Sequence, residues 1–417
     1  MRPCLIFIVV SVFLASMFGC RPTGNLGIRN FANQYAEIPK APLLQVVPFS
    51  QNDSISHIFA RWRYSDLTYR KHDKEKISLA SYSLHFEVYA NFQSTTLLDS
   101  GTYFLSDSLH AGSGEMCDFE FDVKTPKAQT SLLSLSLFDR NSNAHHIATY
   151  YIRKSEQWSS SYFKASQEGS GLLYSPVLYT KQPVVVTFAN IAVKSLNVSL
   201  FRQHFPLPAP PFVPGERLRF NYKPDSSFII SLENGNSAPL ELNKQGFYFF
   251  SNDSAFREGF TLFRYSPGFP ELINARQMLA PLRYITSAKE FEKLNSIRNI
   301  QNAVDSFWIA TAGNTDRALM LIHDYYSRVQ RANELFSSHM EGWQTDRGMI
   351  YIIYGMPNVV YRSNVQEEWI YGEAGNIRSQ HFYFLKVDNP FSTSDFVLLR
   401  DPDIRQAWYM AVERWRR

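Results

Sequence analysis

The chain has 417 residues, 45% apolar, 15% aromatic and 19% charged, with a net charge of +4. Such a length exceeds what one core usually serves, and the apolar content excludes wholesale disorder, so two or three packed domains are expected. The weak, dispersed positive charge lacks the basic stripe with interleaved aromatics that a nucleic-acid surface needs, so no nucleic-acid partner is expected.

At the start, Arg2 precedes an apolar run from Leu5 to Phe18, followed by Gly19-Cys20. The run is short for a membrane span of about 20 residues and reads as a signal peptide over 1–19. A small residue followed by Cys has the form of a bacterial lipobox, so Cys20 is the expected lipidation site and the anchor to a membrane. Several acyl chains, at about 0.8 kcal/mol per buried methylene, make such anchoring effectively permanent. Met17 and Phe18 depart from the residues commoner at those positions and leave cleavage by the ordinary signal peptidase as the alternative. Residues 20–42 contain Gly, Asn and Pro without a clear period and read as a lipid-anchored tether. With Cys20 acylated, Cys117 has no partner for a disulfide and no companions for a cysteine metal site; it sits in an alternating run and reads as a small core residue.

From Leu43 onward, runs at Leu43–Phe49, Ile55–Arg63, Ile77–Phe92, Thr96–Leu105, Glu115–Val123, Ser131–Phe138 and Ala144–Ile152 are separated by Gly, Asn, Asp and Ser turns. This is the pattern of an Ig-like β-sandwich over 43–156. A second β-sandwich is expected over 157–267, with strands near Val184–Ala189, Ser195–Phe201, Arg217–Phe220, Phe228–Leu232, Gly246–Phe250 and Thr261–Phe263. Its proline-rich stretch Pro206 to Gly215 reads as a stiff strand connection, with a docking ligand for an aromatic groove as the alternative.

Near Pro270 the apolar period lengthens to that of a helix, and a helix-rich α+β domain with a small antiparallel sheet is expected over 268–417. Ser287 and Glu290 form a capping-box pattern, a longer helix starts near Thr315, and Asp401-Pro402 opens a last helix whose Trp408, Ala411 and Trp415 share one face. The sheet is expected from Met349–Tyr354, Glu368–Tyr371, His381–Val387 and Phe396–Arg400.

Between these lies Gly342-Trp343-Gln344-Thr345-Asp346, followed by Gly348, Tyr351, Gly355 and Pro357, with Trp369 and Tyr371 further on. These residues resemble the signature of the GWxTD-domain family of bacterial, mainly Bacteroidetes-like, envelope lipoproteins, over roughly 270–400. Met356 stands where that family often has a second proline. The resemblance implies a place in the cell envelope and no settled activity. From the residues themselves, Gly342 is expected to supply the positive φ that ends a helix, and Trp343 to fold over the helix–sheet seam. Thr345 and Asp346 would close a turn into Met349–Tyr354, which is apolar on both faces and reads as a central strand. The signature is thus either a folding corner or a ligand site lined by Trp343, Asp346, Arg347, Glu367 and Trp369.

Signals for chemistry are thin. There is no nucleophile elbow, phosphate loop, zinc-protease helix or dinucleotide fingerprint. His145-His146 point to opposite faces of a strand, and His339 with Glu341 reads as a polar helix end, so no metal and no cofactor are expected. Asp346 with Glu367 or Glu368 could meet across neighbouring strands as the two acids a glycan hydrolase needs, though among 38 acidic residues one such proximity is expected by chance, and the triplets beginning at Asp53, Asp107 and Asp253 look like envelope O-glycosylation sites. The leading expectation is a non-enzymatic envelope lipoprotein that binds another envelope protein through its C-terminal domain; the alternative is a cell-wall glycan binder or hydrolase. Arg21, Pro22 and Thr23 lack the acidic cluster of a surface-export signal, so an outer-membrane anchor facing the periplasm is expected.

Overall fold

The structure, a computed structural model, describes residues 25–36, 43–71, 78–155, 157–214 and 220–416. The expected signal peptide, Cys20, residues 21–24 and 37–42 of the expected tether, and residues 217–219 of the strand expected over Arg217–Phe220 lie outside the described residues.

The first β unit contains β1 (Gln45–Ser50), β2 (Ile55–Arg63), β3 (Arg70–Lys71), β4 (Ser78–Tyr89), β5 (Leu97–Asp107), β6 (Met116–Lys124), β7 (Thr130–Asp139) and β8 (His145–Arg153). β1, β2 and β6 form a three-stranded sheet; β3, β4, β7 and β8 form the other, with β5 paired to β4. Alternation decides which side chains go inward: Leu84, Phe86 and Val88 of β4 and Leu133, Leu135 and Leu137 of β7 meet Ile58, Ala60 and Trp62 of β2 in one core. Cys117 is buried in that core as a free thiol.

The second unit runs through β9 (Phe163–Gln167), β10 (Gly171–Leu172), β11 (Val184–Phe188), β12 (Ser195–Phe201), β13 (Ser226–Glu233), β14 (Asn236–Ser237), β15 (Gly246–Phe250) and β16 (Phe260–Arg264). Its eight strands pair along one path, β10-β9-β11-β14-β13-β12-β15-β16. Val184 and Val186 from one half of that path share a core with Leu196, Val198 and Leu262 from the other, so the sheet folds over on itself.

The C-terminal part holds α1 (Ala275–Leu279), α2 (Ala288–Ser296), α3 (Ile300–Ala312), α4 (Thr315–Phe336), α5 (Asp346–Tyr354) and α6 (Arg405–Arg414) around an antiparallel sheet of β17 (Val359–Arg362), β18 (Gln366–Tyr371), β19 (Gln380–Lys386) and β20 (Phe396–Leu398). Local chemistry sets the helix starts. Ser287 and Glu290 close a reciprocal capping box on α2, while the Asn299 and Asn314 side chains cap α3 and α4. Trp408, Ala411 and Trp415 are buried on one face of the α6 region.

Two expectations are corrected. Met349–Tyr354 is not a central strand but lies in α5. An apolar run of this length cannot be assigned to strand or helix by periodicity. Here the Thr345 hydroxyl accepts the Gly348 N–H at 3.0 Å and starts a helix, and Met349 to Ile353 are buried all round it. Burial overrides the strand preference of three isoleucines. The second correction concerns the tether. Leu26, Phe31, Ala32 and Tyr35 lie inside the largest core of the molecule, among residues of α4, α5 and the C-terminal sheet. The Phe31 N–H donates to the Val360 carbonyl, and the Asn30 side chain accepts from the Val360 N–H, so residues 30–31 cover the exposed edge of β17.

The three units are joined at further places. Phe391, from the loop before β20, enters a cage of Phe201, Phe247, Phe249 and Phe263 in the second β unit. The proline-rich connection between β12 and β13 crosses the C-terminal domain, where Phe212 packs on Tyr409 and the Pro211 carbonyl accepts the Asp401 N–H.

Because Phe31 is 2% exposed and Ile28 67% exposed, Phe31→Ala is expected to lower stability by about 3–5 kcal/mol, and Ile28→Ala to stay within about 0.5 kcal/mol of wild type. Urea denaturation of the purified chain separates this from a solvated tether, in which both changes would be neutral.

Candidate functional site

The signature lies where three stretches of backbone touch. A short 3₁₀ turn, Gly342–Gln344, is pressed between α4 and α5. A Cβ on Gly342 would stand 1.9 Å from the Ala332 carbonyl oxygen, and one on Gly348 would stand 1.9 Å from the Gly342 carbonyl oxygen. Gly342 is therefore needed for close approach and not, as expected, for a positive φ, which it does not have. Gly355 does have one, φ 80°, and ends α5 ahead of the buried Pro357.

Trp343 is buried and bonded at every polar atom. Its N–H donates to Asn333 Oδ1, its carbonyl accepts from the Tyr284 hydroxyl, and its indole N–H donates to Glu341 Oε2 at 2.9 Å. Thr345 donates its hydroxyl to the Gly342 carbonyl while capping α5.

Asp346 does not bond the backbone that follows it. Its Oδ2 accepts the Leu398 N–H at 2.8 Å, its Oδ1 accepts from Arg400 Nη2 at 2.6 Å, and Arg400 Nη1 donates to the Leu398 carbonyl at 3.1 Å. β20 is an edge strand, and this ion pair satisfies its outward N–H and C=O as another strand would.

Arg347 turns the other way, into a buried network. Glu367 lies between Arg347 Nη1, 3.4 Å from both carboxylate oxygens, and Arg362 Nε at 3.0 Å. Glu367 Oε2 also accepts from the Tyr35 hydroxyl at 2.8 Å and the Trp369 indole at 3.1 Å, and Arg362 Nη2 donates to the Tyr35 hydroxyl at 2.5 Å. Arg347 completes its fork on Ser394 and lies over the Phe396 ring. Burial pushes the Glu367 carboxyl up, yet the two guanidinium groups and the hydrogen bonds outweigh it and hold the pKa below the ordinary value. Burial raises the Tyr35 hydroxyl to about 12, so it stays a donor. Trp369 is fully buried against Tyr35, Phe336 and Phe384, and Glu368 faces away, its Oε1 accepting from His381 Nδ1 at 2.9 Å.

The structure thus brings Arg347, Glu367 and Trp369 together and sends Trp343, Asp346 and Glu368 to separate places. The acids do not form an opposed catalytic pair: Asp346 has Arg400, Glu367 has two arginines, and Glu368 has His381. No group of three metal-ligating side chains occurs among the described residues. Sequence reasoning missed Tyr35, Arg362 and Arg400. The available signal for Tyr35 was its company, since Leu26, Phe31 and Tyr35 are poor residues for a solvated linker.

Beside the signature, a cleft of about 1160 Å³ opens between the outer face of β19 and β20 and the proline-rich connection, with Thr345 and Asp346 at its floor.

Two changes test the signature's role. Gly342→Ala is expected to cost about 1–3 kcal/mol or more, because backbone atoms block the new methyl. Glu367→Gln is expected to cost about 3–5 kcal/mol at neutral pH by leaving two buried guanidinium groups without a counter-charge. The Glu367 contribution is present above its ordinary pKa of 4.5 and is lost as pH falls through the lower folded value, so the gap between wild type and Glu367→Gln should narrow on acidification. Denaturation midpoints across that range check both statements.

Residues 246–417 match the family model described as the GWxTD domain, starting at the first residue of β15. No curated protein matches the chain. Among solved structures, it is similar to a transglutaminase of red sea bream at 10% identity and a TM-score of 0.20, over 54% of this chain and 31% of that one. The chain spans about a third of that enzyme's length, and so distant a likeness carries no argument. The family match, with Gly342, Trp343, Thr345 and Asp346 inside it, supports placing this part of the chain in the GWxTD domain family.

Proposed function

We propose that the protein is a non-enzymatic scaffold of a bacterial, Bacteroidetes-type cell envelope, tethered by an acylated Cys20 to the periplasmic face of the outer membrane. Two β units, read at the finer level as Ig-like sandwiches, position a GWxTD domain that binds another envelope protein. The observation that carries this reading is the state of the signature: its Trp indole donates to the Glu341 carboxylate, its Thr bonds backbone at both ends, and its Asp is held in a matched ion pair with Arg400. A group already saturated in this way builds a joint and has little left for chemistry. Glycan recognition through these residues is disfavoured, because the rings of Trp343 and Trp369 are buried and offer no face to a sugar.

No helix among the described residues is long and apolar enough to cross a membrane; in this reading the acyl anchor holds the chain there. Metabolic labelling with an alkyne fatty acid, followed by membrane fractionation, tests this. The expected result is a labelled, membrane-retained chain and an unlabelled, released Cys20→Ser variant; equal retention of the two without label overturns the anchor. Affinity purification from envelope membranes after crosslinking tests the scaffold role, with a stoichiometric protein partner expected and turnover of an envelope polymer by the purified chain as the contrary result.

A further inference from the structure

The open cleft is built differently from the saturated signature beneath it. One wall is the outer face of β19 and β20, where Leu385, Val397 and Leu399 stand on the side away from the core; Leu399 is 56% exposed. The facing wall is the start of the proline-rich connection, with Phe205 and Pro206. Two walls of large apolar side chains separated by open space lose hydration when something apolar fills the gap. At about 1160 Å³ the space exceeds the usual range for a small-molecule pocket and accommodates several residues of an extended chain.

The polar groups of the cleft give it a sign. Asp346 is neutralised by Arg400. Asp388 is exposed, and no hydrogen bond or ion pair among the described residues holds its carboxylate. Asp395 accepts one neutral hydrogen bond, from Asn389 Nδ2 at 3.0 Å. The basic group beside it is His339, 3.8 Å away, which burial pulls toward the neutral form against the pull of the Asp395 carboxylate. Lys386, two residues before Asp388, has its ammonium 3.9 Å over the Tyr151 ring and acts on Asp388 only through space, without direct contact. Among the described residues, therefore, two carboxylates stand at one end of an apolar cleft with no cation nearer than His339, 3.8 Å from Asp395. The outward N–H of Leu398 is already taken by Asp346, so recognition here proceeds through side chains across the face and not by adding a strand to that point of the edge.

We infer that this cleft docks an extended segment of a partner protein in which an arginine or lysine is flanked by apolar side chains, the cation meeting Asp388 and Asp395 and the apolar neighbours filling the space between Leu399 and Phe205. Charge sets the polarity of docking, while the apolar walls supply most of the contact area. The inference deepens the scaffold reading above and takes from it only that the partner is a protein.

The test is selection of a random dodecapeptide display library on the purified full chain, followed by anisotropy titration of the enriched peptides. Enriched sequences are expected to carry Arg or Lys between apolar residues and to bind more weakly as salt rises. Asp388→Lys is expected to weaken them about tenfold or more, and their Glu-for-Arg counterparts should not bind. Leu399→Ser is expected to weaken them several-fold without altering the salt dependence. Both substituted residues are exposed, and unchanged thermal unfolding verifies that each variant folds. Enrichment of sequences without a cation, no enrichment at all, equal binding by Asp388→Lys, or displacement by chito-oligosaccharide in preference to peptide each overturns the inference. Envelope crosslinking with the same variants separates the two proposals. A partner captured equally by wild type and Asp388→Lys sinks the cleft and leaves the scaffold standing; cationic peptides that bind the cleft in a chain that captures no envelope protein do the reverse.

Discussion

The buried carboxylate of Glu367 constrains more of this molecule than any other group. An ionised side chain withdrawn from water is tolerated only when its charge is matched and its lone pairs are occupied. Here the matching groups come from three places: Arg347 from α5, Arg362 from the neighbouring strand β17, and Tyr35 from a segment more than three hundred residues away in sequence. None of the three can move independently without leaving a buried charge partly uncompensated. The network is therefore a device of registration. It fixes where α5 sits on the sheet, and it fixes the N-terminal segment in the groove lined by Phe336 and Trp369.

The signature supplies the second half of that registration, through space and not charge. Gly342 and Gly348 let the backbones of α4, the 3₁₀ turn and α5 come closer than any side chain would permit. With α5 held so tightly, its first two residues act as opposite-facing clamps. Asp346 reaches outward to finish the edge of β20 together with Arg400, and Arg347 reaches inward to Glu367 and to Ser394 in the loop before β20. Adjacent residues in the first turn of a helix point in different directions, so a single Asp-Arg pair can hold both sides of a short strand. This accounts for an acid and a base side by side in the motif without assigning either to a reaction.

Much of the β architecture was legible because period-two alternation survives wherever one face is buried and the other is wet, as in β2 and β6. The caps of α2 and the start of α4 were legible because they depend on a few neighbouring residues. Two features were not. The Met349–Tyr354 run gives no periodic signal once every side chain is buried, and only the Thr345 cap distinguishes helix from strand. The Tyr35 network joins residues too far apart for local pattern to link them, and its Gly- and Asn-containing surroundings imitate a linker. The signature's own residues lie inside the matched family span, yet their destinations were hidden, since sequence adjacency says nothing about Asp346 and Arg347 facing opposite ways.

The same seams that bury the signature shape the surface left over. The two walls of the open cleft belong to different units, and their separation is set by contacts at either end: Phe391 in its phenylalanine cage, and Arg400 Nη2 donating to the Ala209 carbonyl at 3.2 Å. A cleft whose walls are fixed by a packed cage and a charged hydrogen bond is largely formed before anything enters it. Binding there forgoes much of the ordering cost that loop-built surfaces carry. Arg400 thus has two duties, neutralising Asp346 and holding the proline-rich connection in place. A change at the signature would be transmitted to the cleft both through that guanidinium and through Thr345 and Asp346 at the cleft floor, so the architectural motif would influence recognition as well as the fold.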